Sequence, residues 1–277
     1  MTQQLGKRLD WESVNKLAQL TGGPDLFLKD TQLHLWSTPL ILNAEQETQA
    51  LTLLNDRQRE KYDRRREPSQ QSAYLAGRYY LFSLLSLYTQ LPIDQIELGY
   101  NRLNKPRLVN NPIDLQFNYT DTRLSKDTSE SMNLGLFAFC INAAVGVDIE
   151  ARKRTAGFDQ IAAKRFTQAE LDYVKNITAD EALKNGAEVD PERCLAIWTR
   201  KEAYGKAIGK GINFVMNEQN LASDGEPYEL NFTDGANAPW RLNQIEIGED
   251  LIACVVHAEH QPLSLKGFSL EPSALSL

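Results

Sequence analysis

Apolar and polar positions follow two periodicities along the chain, and each periodicity predicts one type of secondary structure. Short apolar or alternating runs indicate strands, whereas apolar residues three or four apart indicate helices. Strands are predicted at 33–36, 96–98, 115–119, 134–141, 145–150, 228–232, 240–247 and 251–258, and helices at 44–54, 56–66, 70–90, 161–174 and 195–208. Strands and helices are both present and do not alternate strictly, which predicts an α+β protein.

Local signals add three further expectations. A short helix is predicted near the start of the chain, because Trp11 and Val14 have helical spacing and a Gly-Gly-Pro stop follows. Thr167, followed three residues later by Glu170, has the pattern of a capping box at a helix N-terminus. The polar segment 121–133, between two predicted strands, is expected to be a loop.

The order of elements is similar in the two parts of the chain. Each part has a strand, a polar helix, a principal helix and then a small sheet, which predicts a duplicated α+β unit with a seam near 142–145. The predicted division is an N-terminal extension at 1–30, an N-terminal half at 31–142, a C-terminal half with the metal site at 143–260 and a tail at 261–277.

Charge, hydropathy and cysteine content limit the binding partners and the cellular compartment that are expected. The net charge of −7 argues against a general nucleic-acid binder and against binding to an acidic membrane. No apolar run approaches the ~20 residues that span a bilayer, and the start of the chain lacks the apolar stretch of a signal peptide. Cys140, Cys194 and Cys254 are too far apart for a C-x-x-C motif. A cytoplasmic protein is expected.

Two acidic residues alternate with apolar ones in the predicted strand at 145–150. Positions two apart in a strand point to the same face, so Asp148 and Glu150 would present both carboxylates together. Their apolar neighbours indicate a buried strand, where paired carboxylates need a cation or donors. Oxygen ligands of this kind suit Mg²⁺, which takes few protein ligands and keeps waters and phosphate oxygens. The alternative is the solvated face of an edge strand.

The predicted helix at 195–208 carries a third acid between two lysines. Glu202 would add a third oxygen ligand, while Lys201 and Lys206 would meet anionic oxygens. The residues taken to share one helical face at spacings of three and four are Trp198, Lys201, Glu202, Gly205 and Lys206. The alternative is a surface helix stabilised by a Glu202–Lys206 pair. The combination of strand and helix predicts metal-assisted phosphoryl transfer.

Two other types of active site are not predicted, because the sequence motifs that define them are missing. A P-loop would require Gly where Tyr204 stands and Ser or Thr where Gly211 stands. No G-x-S-x-G motif is present, so a serine hydrolase is not predicted. The basic run at 57–66 is interleaved with acids and is interpreted as a solvated helix with local ion pairs, although it would still supply one or two phosphate contacts.

Taken together, these motifs resemble the Sfp-type 4′-phosphopantetheinyl transferases over residues 33–258. The segments that carry the resemblance are Gly146-Val147-Asp148-Ile149-Glu150, Trp198-Thr199-Arg200-Lys201-Glu202-Ala203 with Lys206, Arg165-Phe166 with Glu170, Lys105-Pro106 and Phe117-Asn118. The chain departs from the family where the family has Ser-His and this sequence reads Thr120-Asp121. In the family that histidine contacts the 3′-phosphate of coenzyme A, which an aspartate would repel.

The resemblance implies a pseudo-twofold α+β fold whose halves form a coenzyme A cleft between them. It implies that Asp148, Glu150 and Glu202 bind Mg²⁺, which bridges the pyrophosphate of coenzyme A. The residues that it implies as coenzyme contacts are Lys61, Lys105, Pro106, Thr120, Lys201 and Lys206.

The implied reaction moves 4′-phosphopantetheine from coenzyme A to a serine hydroxyl of an acyl, polyketide or peptidyl carrier protein and releases 3′,5′-ADP. Glu202 and Lys206 would be the catalytic residues, and either Glu202 or a metal-bound water would take the serine proton. Lys164, Arg165 and Lys210 are expected to form a basic rim for an acidic carrier. A monomer would suffice. The alternatives are a non-catalytic protein that docks carrier domains and another Mg²⁺-dependent enzyme that cleaves pyrophosphates.

Overall fold

The computed structural model describes residues 7–14, 28–124, 132–153, 157–175, 189–215, 218–222, 229–234, 238–259 and 261–270. The strands in this part of the chain are β1 (Lys7–Arg8), β2 (Trp11–Val14), β3 (Gln32–Pro39), β4 (Leu98–Tyr100), β5 (Pro106–Leu108), β6 (Leu115–Leu124), β7 (Met132–Ile141), β8 (Val145–Ala151), β9 (Glu229–Thr233), β10 (Pro239–Ile247), β11 (Leu251–Ala258) and β12 (Ser264–Leu270). The helices are α1 (Ala44–Leu53), α2 (Asp56–Asp63), α3 (Pro68–Thr89), α4 (Phe158–Arg165), α5 (Gln168–Lys175), α6 (Pro191–Ala207) and α7 (Ile212–Val215), with a 3₁₀ turn at Ile93–Gln95.

The chain divides into two compact units, which are named here after their longest helices. The α3 unit contains Asp10–Tyr100, Pro106–Asn142 and the residues from Leu263 onward, and the α6 unit contains the residues up to Leu9, Asn101–Lys105 and Ala143–Pro262. Each unit combines a sheet with helices, so the predicted α+β class is confirmed. The duplication and its pseudo-twofold axis stay predictions.

In the α3 unit, the sheet has the strand order β2-β12-β3-β7-β6, and β4 and β5 form a separate pair. The long helix α3 is apolar on most sides because it packs against α1, α2 and the sheet strands β6 and β7. Aromatic side chains fill this core, among them Trp36, Tyr79, Tyr80, Phe137 and Phe139. The burial of α3 on several sides agrees with its all-round apolar pattern.

In the α6 unit, the sheet runs β1-β10-β11-β8, and β9 pairs with the first half of β10. Helix α6 lies across β8 and β11, and α4 and α5 pack beside it. Asp190 begins α6 as an N-cap, since its carboxylate accepts hydrogen bonds from the amides of Glu192 and Arg193. The strand and helix that carry the predicted site are therefore packed in the same unit.

Both ends of the chain contain a strand that the sequence analysis did not predict. Residues Trp11–Val14 are strand β2 rather than a helix, and β2 pairs in parallel with β12. The predicted tail contains β12, which lies between β2 and β3 in the sheet. Parallel pairing between strands more than two hundred residues apart leaves no local sequence signal, so neither terminal segment could be assigned from its own pattern.

Two internal predictions are corrected as well. Part of the predicted loop at 121–133 is strand, because β6 continues to Leu124 and β7 begins at Met132. Residues 125–131 lie outside the described part. The predicted helix at 161–174 is two helices, α4 and α5, with the break at the N-cap residue Thr167. No helix within the described residues is long and apolar enough to span a membrane.

Candidate active site

Strand β8 presents two carboxylates on the face that packs against helix α6. Asp148 and Glu150 are two residues apart, so their side chains share this face, and both are buried. Gly146 is on the same face, where an added Cβ would lie 2.1 Å from the backbone oxygen of Ala203 and 2.3 Å from the amide nitrogen of Ala207. Because only glycine allows this close approach, the face of β8 that carries the carboxylates packs directly against α6.

Lys206 connects helix α6 to the first carboxylate. Its Nζ donates a hydrogen bond to Asp148 Oδ1 at 2.7 Å and another to the backbone oxygen of Val147 at 3.2 Å. The Lys206 side chain remains 27% exposed, whereas that of Asp148 is 7% exposed. The ammonium therefore pairs with the carboxylate, while part of the lysine side chain remains at the surface.

The third predicted ligand, Glu202, is half-buried on α6 one turn before Lys206. Residues four apart in a helix share a face, so Glu202 is on the face whose lysine reaches Asp148. Within the described residues, no three His, Cys, Asp or Glu side chains form a group that could hold a metal ion. The metal set of Asp148, Glu150 and Glu202 therefore stays a prediction.

The structure places Lys201 differently from the sequence expectation. Its ammonium donates to Glu170 Oε2 at 2.9 Å and to the backbone oxygen of Gln219 at 2.9 Å, and both charged side chains are 0% exposed. Burial lowers the pKa of Lys201, and the charge of Glu170 opposes that effect. Lys206 is five positions after Lys201, which rotates the two side chains about 140° apart on the helix. The single face predicted for both lysines is wrong.

Glu170 is the centre of a buried network that the sequence only partly predicted. The capping box is confirmed, because Glu170 Oε2 accepts from the amide of Thr167 at 2.8 Å and Thr167 Oγ1 accepts from the amide of Glu170 at 3.3 Å. Glu170 Oε1 also accepts from the amide of Leu221 at 2.9 Å. Arg200 donates to the backbone oxygen of Leu221 at 2.8 Å and to Gln244 at 2.6 Å. These contacts fix the segment around Leu221 against α5 and α6.

Lys105 holds the end of α6 rather than standing in open solvent. Its Nζ donates to the backbone oxygen of Ala207 at 2.7 Å and to that of Val145 at 3.0 Å. The turn that carries Lys105 is fixed by Asn101, whose side chain also donates to the backbone oxygen of Gly209 at 3.2 Å. A cation at a helix C-terminus is favourable. The predicted coenzyme contact of Lys105 and its half-buried neighbour Pro106 stays a proposal.

A cluster of cations and tyrosines occupies one face of the α3 unit. The members of this tyrosine–cation cluster are Arg57, Lys61, Arg65, Arg78, Tyr74, Tyr100 and Tyr119. The guanidinium carbon of Arg57 lies 4.2 Å from the ring centroid of Tyr100, and that of Arg65 lies 4.0 Å from the ring centroid of Tyr74. Burial, followed by the charges of its three arginine neighbours, lowers the pKa of Lys61. A bound anion would relieve this repulsion.

The sequence contains a signal for this cluster in the spacing of its basic residues. Arg57, Lys61 and Arg65 recur every four residues, so they form one stripe along α2 and the residues just after it. The predicted local ion pair is present on the neighbouring side, where Arg64 contacts Glu60 at 2.5 Å. The interpretation as a solvated helix therefore holds for one side of α2, while the other side covers aromatic rings.

Strand β6 directs Asp121 toward the cluster and Thr120 away from it. Tyr119 and Asp121 are two residues apart and share a face, which brings the Asp121 carboxylate near the Tyr119 hydroxyl. Burial first, and then the charge of Asp121, raises the pKa of Tyr119, while Arg78 opposes the effect. Gly77 allows the Tyr119 hydroxyl to lie against α3, since an added Cβ would be 2.2 Å from it. Thr120 is buried on the opposite face.

A known family model covers the segment that carries the carboxylate–lysine arrangement. Residues 144–256, which include β8, α6 and most of β11, match the family model of the 4′-phosphopantetheinyl transferase superfamily. This segment of the chain is therefore similar to that superfamily, and the resemblance found in the sequence is confirmed.

Two cyanobacterial proteins are similar to the chain over most of its length. The 4′-phosphopantetheinyl transferase HetI of Nostoc sp. is 25% identical over 236 residues, which cover 85% of this chain and 91% of HetI. The protein slr0495 of Synechocystis sp., named as a candidate 4′-phosphopantetheinyl transferase, is 25% identical over 197 residues, which cover 69% of this chain and 71% of slr0495. Both matches extend well beyond the segment that the family model covers.

Proposed function

We propose that this chain transfers the 4′-phosphopantetheine group from coenzyme A to a serine hydroxyl of an acyl, polyketide or peptidyl carrier protein, with Mg²⁺, and releases 3′,5′-ADP. The observation that carries the proposal is the pairing of Lys206 with Asp148 at 2.7 Å inside the segment that matches the family model. The similarity to the superfamily supports the general reaction, and the relative HetI is named for the same activity.

In the proposed reaction, the serine oxygen forms a bond to the phosphorus that carries the pantetheine arm. The bond from that phosphorus to the bridging oxygen of the pyrophosphate breaks, and its electron pair leaves with 3′,5′-ADP. The serine proton goes to a base, for which Glu202 is the proposed residue because it is half-buried on the same helical face as Lys206.

The donor chemistry of β8 fits Mg²⁺. Asp148 and Glu150 offer carboxylate oxygens on one buried face. Mg²⁺ prefers such hard oxygen ligands and takes only a few of them from the protein. Glu202 is the proposed third ligand from α6. When bound, the ion would offset the charge that develops on the phosphate oxygens. Glu150 and Asp148 would hold it beside α6, and the packing at Gly146 would keep strand and helix at a fixed spacing.

Lys206 is proposed to bind and stabilise the pyrophosphate. Its side chain is partly exposed, and its ammonium contacts Asp148 and the backbone oxygen of Val147. A lysine beside a reacting phosphate stabilises charge in the transition state, which is the dominant contribution in phosphoryl transfer. Lys201 is not retained as a phosphate contact, because its ammonium is fully buried against Glu170.

The tyrosine–cation cluster is proposed to bind the adenosine end of coenzyme A. Four cations beside three aromatic rings suit a ligand that is both a polyanion and an aromatic base. Lys61 belongs to this cluster, so its predicted role as a coenzyme contact is kept. Lys105, Pro106 and Thr120 are kept as further proposed contacts from the family resemblance.

The transfer can be tested with an apo carrier protein whose mass is followed by intact-protein mass spectrometry. With coenzyme A and Mg²⁺, the carrier is expected to gain one phosphopantetheine arm, and a carrier with its serine replaced by alanine is expected to gain none. Replacing coenzyme A by ATP is the control for another pyrophosphate-cleaving enzyme. An unmodified carrier in every reaction, or turnover of ATP alone, would refute the proposal.

A further inference from the structure

The ammonium of Lys206 lies at the first of the two β8 carboxylates. Its Nζ is 2.7 Å from Asp148 Oδ1 and 3.2 Å from the backbone oxygen of Val147. The Asp148 side chain is 7% exposed, so this charge-assisted hydrogen bond is largely removed from water, which strengthens it. The chain therefore supplies a cation of its own to a carboxylate that is proposed to bind Mg²⁺.

The three proposed metal ligands are not gathered around a common point while this contact is made. Glu150 shares a face of β8 with Asp148, and Glu202 lies one helical turn before Lys206. Among the residues that the structure describes, however, no three His, Cys, Asp or Glu side chains form a group that could hold a metal ion. The pairing of Lys206 with Asp148 thus accompanies an arrangement that is not yet ready for an ion.

An ammonium and a metal ion compete for the same carboxylate. Mg²⁺ binds its oxygen ligands at about 2.0–2.1 Å. An ion bound to Asp148 would therefore come close to the ammonium of Lys206, and the two like charges would repel each other. Solvent screens this repulsion poorly, because the carboxylate is buried. Asp148 should therefore bind an ion less tightly while Lys206 remains in place.

The Lys206 side chain can respond to this competition, whereas the backbone around it is fixed by packing. An added Cβ at Gly146 would lie 2.1 Å from the backbone oxygen of Ala203, which shows how closely β8 and α6 are packed. The Lys206 side chain has a flexible four-carbon stem and is 27% exposed, so it has a route from the carboxylate toward solvent. Movement of this side chain is therefore the response that the fold allows.

We propose that Lys206 is an exchangeable counterion of Asp148, which it holds in the free chain and leaves for the pyrophosphate of coenzyme A when Mg²⁺ binds. This inference rests on the proposed function, since it describes how the site of that reaction is loaded. The pyrophosphate offers the ammonium another anionic partner, and the carboxylate then becomes available to the ion. Coenzyme A and Mg²⁺ should therefore strengthen each other's binding, and linkage makes this effect reciprocal.

A permanent ion pair between Lys206 and Asp148 is the competing arrangement. A permanent pair would oppose the metal ion equally with and without coenzyme A. An exchangeable counterion opposes the ion in the free chain alone, because the coenzyme has drawn the ammonium away in the complex. Removing the charge of Lys206 should therefore raise the metal affinity of the free chain and not that of the coenzyme complex.

The experiment measures binding of Mn²⁺, a paramagnetic substitute for Mg²⁺, to the full chain by electron paramagnetic resonance, without carrier protein. In the absence of coenzyme A, Lys206→Met and Lys206→Gln are each expected to lower the Mn²⁺ Kd by about fivefold or more, because the competing ammonium is gone. At saturating coenzyme A, after correction for Mn²⁺ bound by the free coenzyme, both variants are expected to bind Mn²⁺ no more tightly than wild type.

Three further variants control for other causes. Lys175→Met removes an exposed lysine at the end of α5 in the same unit, and it should change the Mn²⁺ Kd less than twofold. Lys206→Arg keeps a cation at this position of α6 and should not gain affinity for the ion. Asp148→Asn should raise the Kd by about tenfold or more, which would locate the titrated ion at β8.

Four results would overturn the proposal. The first is an Mn²⁺ affinity of the free chain that is unchanged or weaker in both Lys206→Met and Lys206→Gln. The second is an equal gain in Lys175→Met, which would indicate a general effect of net charge. The third is a gain that persists undiminished at saturating coenzyme A, as a permanent pair requires. The fourth is an Asp148→Asn variant with wild-type affinity for the ion.

The two proposals can fail separately, because ion binding is measured without carrier protein or turnover. If the variants behave as expected and the carrier never gains the phosphopantetheine arm, the proposed transfer falls and the exchange of Lys206 stands. If the wild-type chain modifies the carrier and the Lys206 variants bind Mn²⁺ as wild type does, the exchange falls and the transfer stands.

Discussion

The ammonium of Lys201 lies 2.9 Å from the carboxylate of Glu170, and neither side chain is exposed. The pair joins α6, where Lys201 directly precedes Glu202, to the N-terminal turn of α5, which contains Glu170. A buried ion pair of this kind is costly to break on one side only, because an uncompensated charge is left in the interior. The pair therefore holds the helix that carries the proposed base, and it has no free surface for a ligand.

Lys201→Met is expected to destabilise the protein without weakening coenzyme binding. Removing one partner of the buried pair should reduce the free energy of unfolding by roughly 3–5 kcal/mol. The affinity for coenzyme A should stay within about twofold, because Lys201 is not retained as a phosphate contact. Urea unfolding and titration calorimetry at a temperature where the variant is folded check the two results.

Lys206→Met is the comparison, since it removes the partly exposed lysine of the same helix. It should weaken coenzyme A binding by about tenfold or more, the size of a charge-assisted contact to phosphate. A Lys201→Met variant that keeps its stability but loses coenzyme affinity as Lys206→Met does would contradict the assignment of the two lysines.

Gly146→Ala is expected to separate strand β8 from helix α6. The added Cβ would lie 2.1 Å from the backbone oxygen of Ala203, and backbone cannot move aside as a flexible side chain can. Overpacking of this kind costs roughly 1–3 kcal/mol of unfolding free energy. The transfer rate should fall further than stability alone explains, because the spacing of Lys206 and Asp148 changes.

Gly99→Ala is the matched control for this change, since an added Cβ there meets nothing closer than a Val109 methyl at 3.4 Å. Urea unfolding and initial rates of carrier modification measure both variants. The close packing of β8 on α6 would be refuted by a Gly146→Ala protein with wild-type stability and rate.

A buried histidine should make the α3 unit sensitive to acid. Trp36 Nε1 donates to the Tyr88 hydroxyl at 2.7 Å, and His34 Nδ1 is hydrogen-bonded to the same hydroxyl at 2.8 Å. Burial, followed by the charge of Lys266, lowers the pKa of His34 from 6.5 to about 4.

Because the folded-state pKa of His34 is depressed, its contribution to stability is complete above pH 6.5 and is lost as the pH falls from 6.5 to about 4. The total loss is on the order of 3 kcal/mol. Urea midpoints measured across this range should fall less steeply in His34→Gln than in wild type, and part of the slope should remain, since burial also lowers the pKa of His257. An NMR titration that gives His34 an ordinary pKa would contradict this.

Asp121 is expected to weaken binding at the tyrosine–cation cluster. Its carboxylate lies near Tyr119, whose ring contacts Arg78, so it offsets part of the positive charge there. Asp121→Asn and Asp121→His should keep or improve the affinity for coenzyme A, by about two- to fivefold for one exposed charge. The affinity for 3′-dephospho-coenzyme A should change less. A clear loss of coenzyme A affinity in titration calorimetry would count against the alignment of this position.

The strand and helix of the candidate site could be predicted because their local signals are strong. Asp148 and Glu150 interrupt an apolar run at strand spacing, and α6 has an apolar face with a glycine stop. The capping box of Thr167 and Glu170 could also be predicted, since both partners are within one turn. In each case, the interaction that fixes the element is encoded within a few residues.

The remaining features depend on contacts that are distant in sequence. The pairing of β2 with β12 joins opposite ends of the chain. The only local signal at Trp11 was its helical spacing to Val14, which led to the wrong prediction of a helix. The burial of Lys201 depends on Glu170, thirty-one residues earlier, and Lys105 reaches Ala207 from a turn in another part of the sequence. A lysine next to an acid has the same local pattern whether it meets a phosphate or a buried carboxylate.

The most direct test is a crystal structure of the chain with Mg²⁺ and coenzyme A. The account predicts one ion bound by oxygens of Asp148, Glu150 and Glu202, with the ammonium of Lys206 on a pyrophosphate oxygen and that of Lys201 still on Glu170. An occupied coenzyme site in which those three carboxylates point away from any shared ion would contradict it.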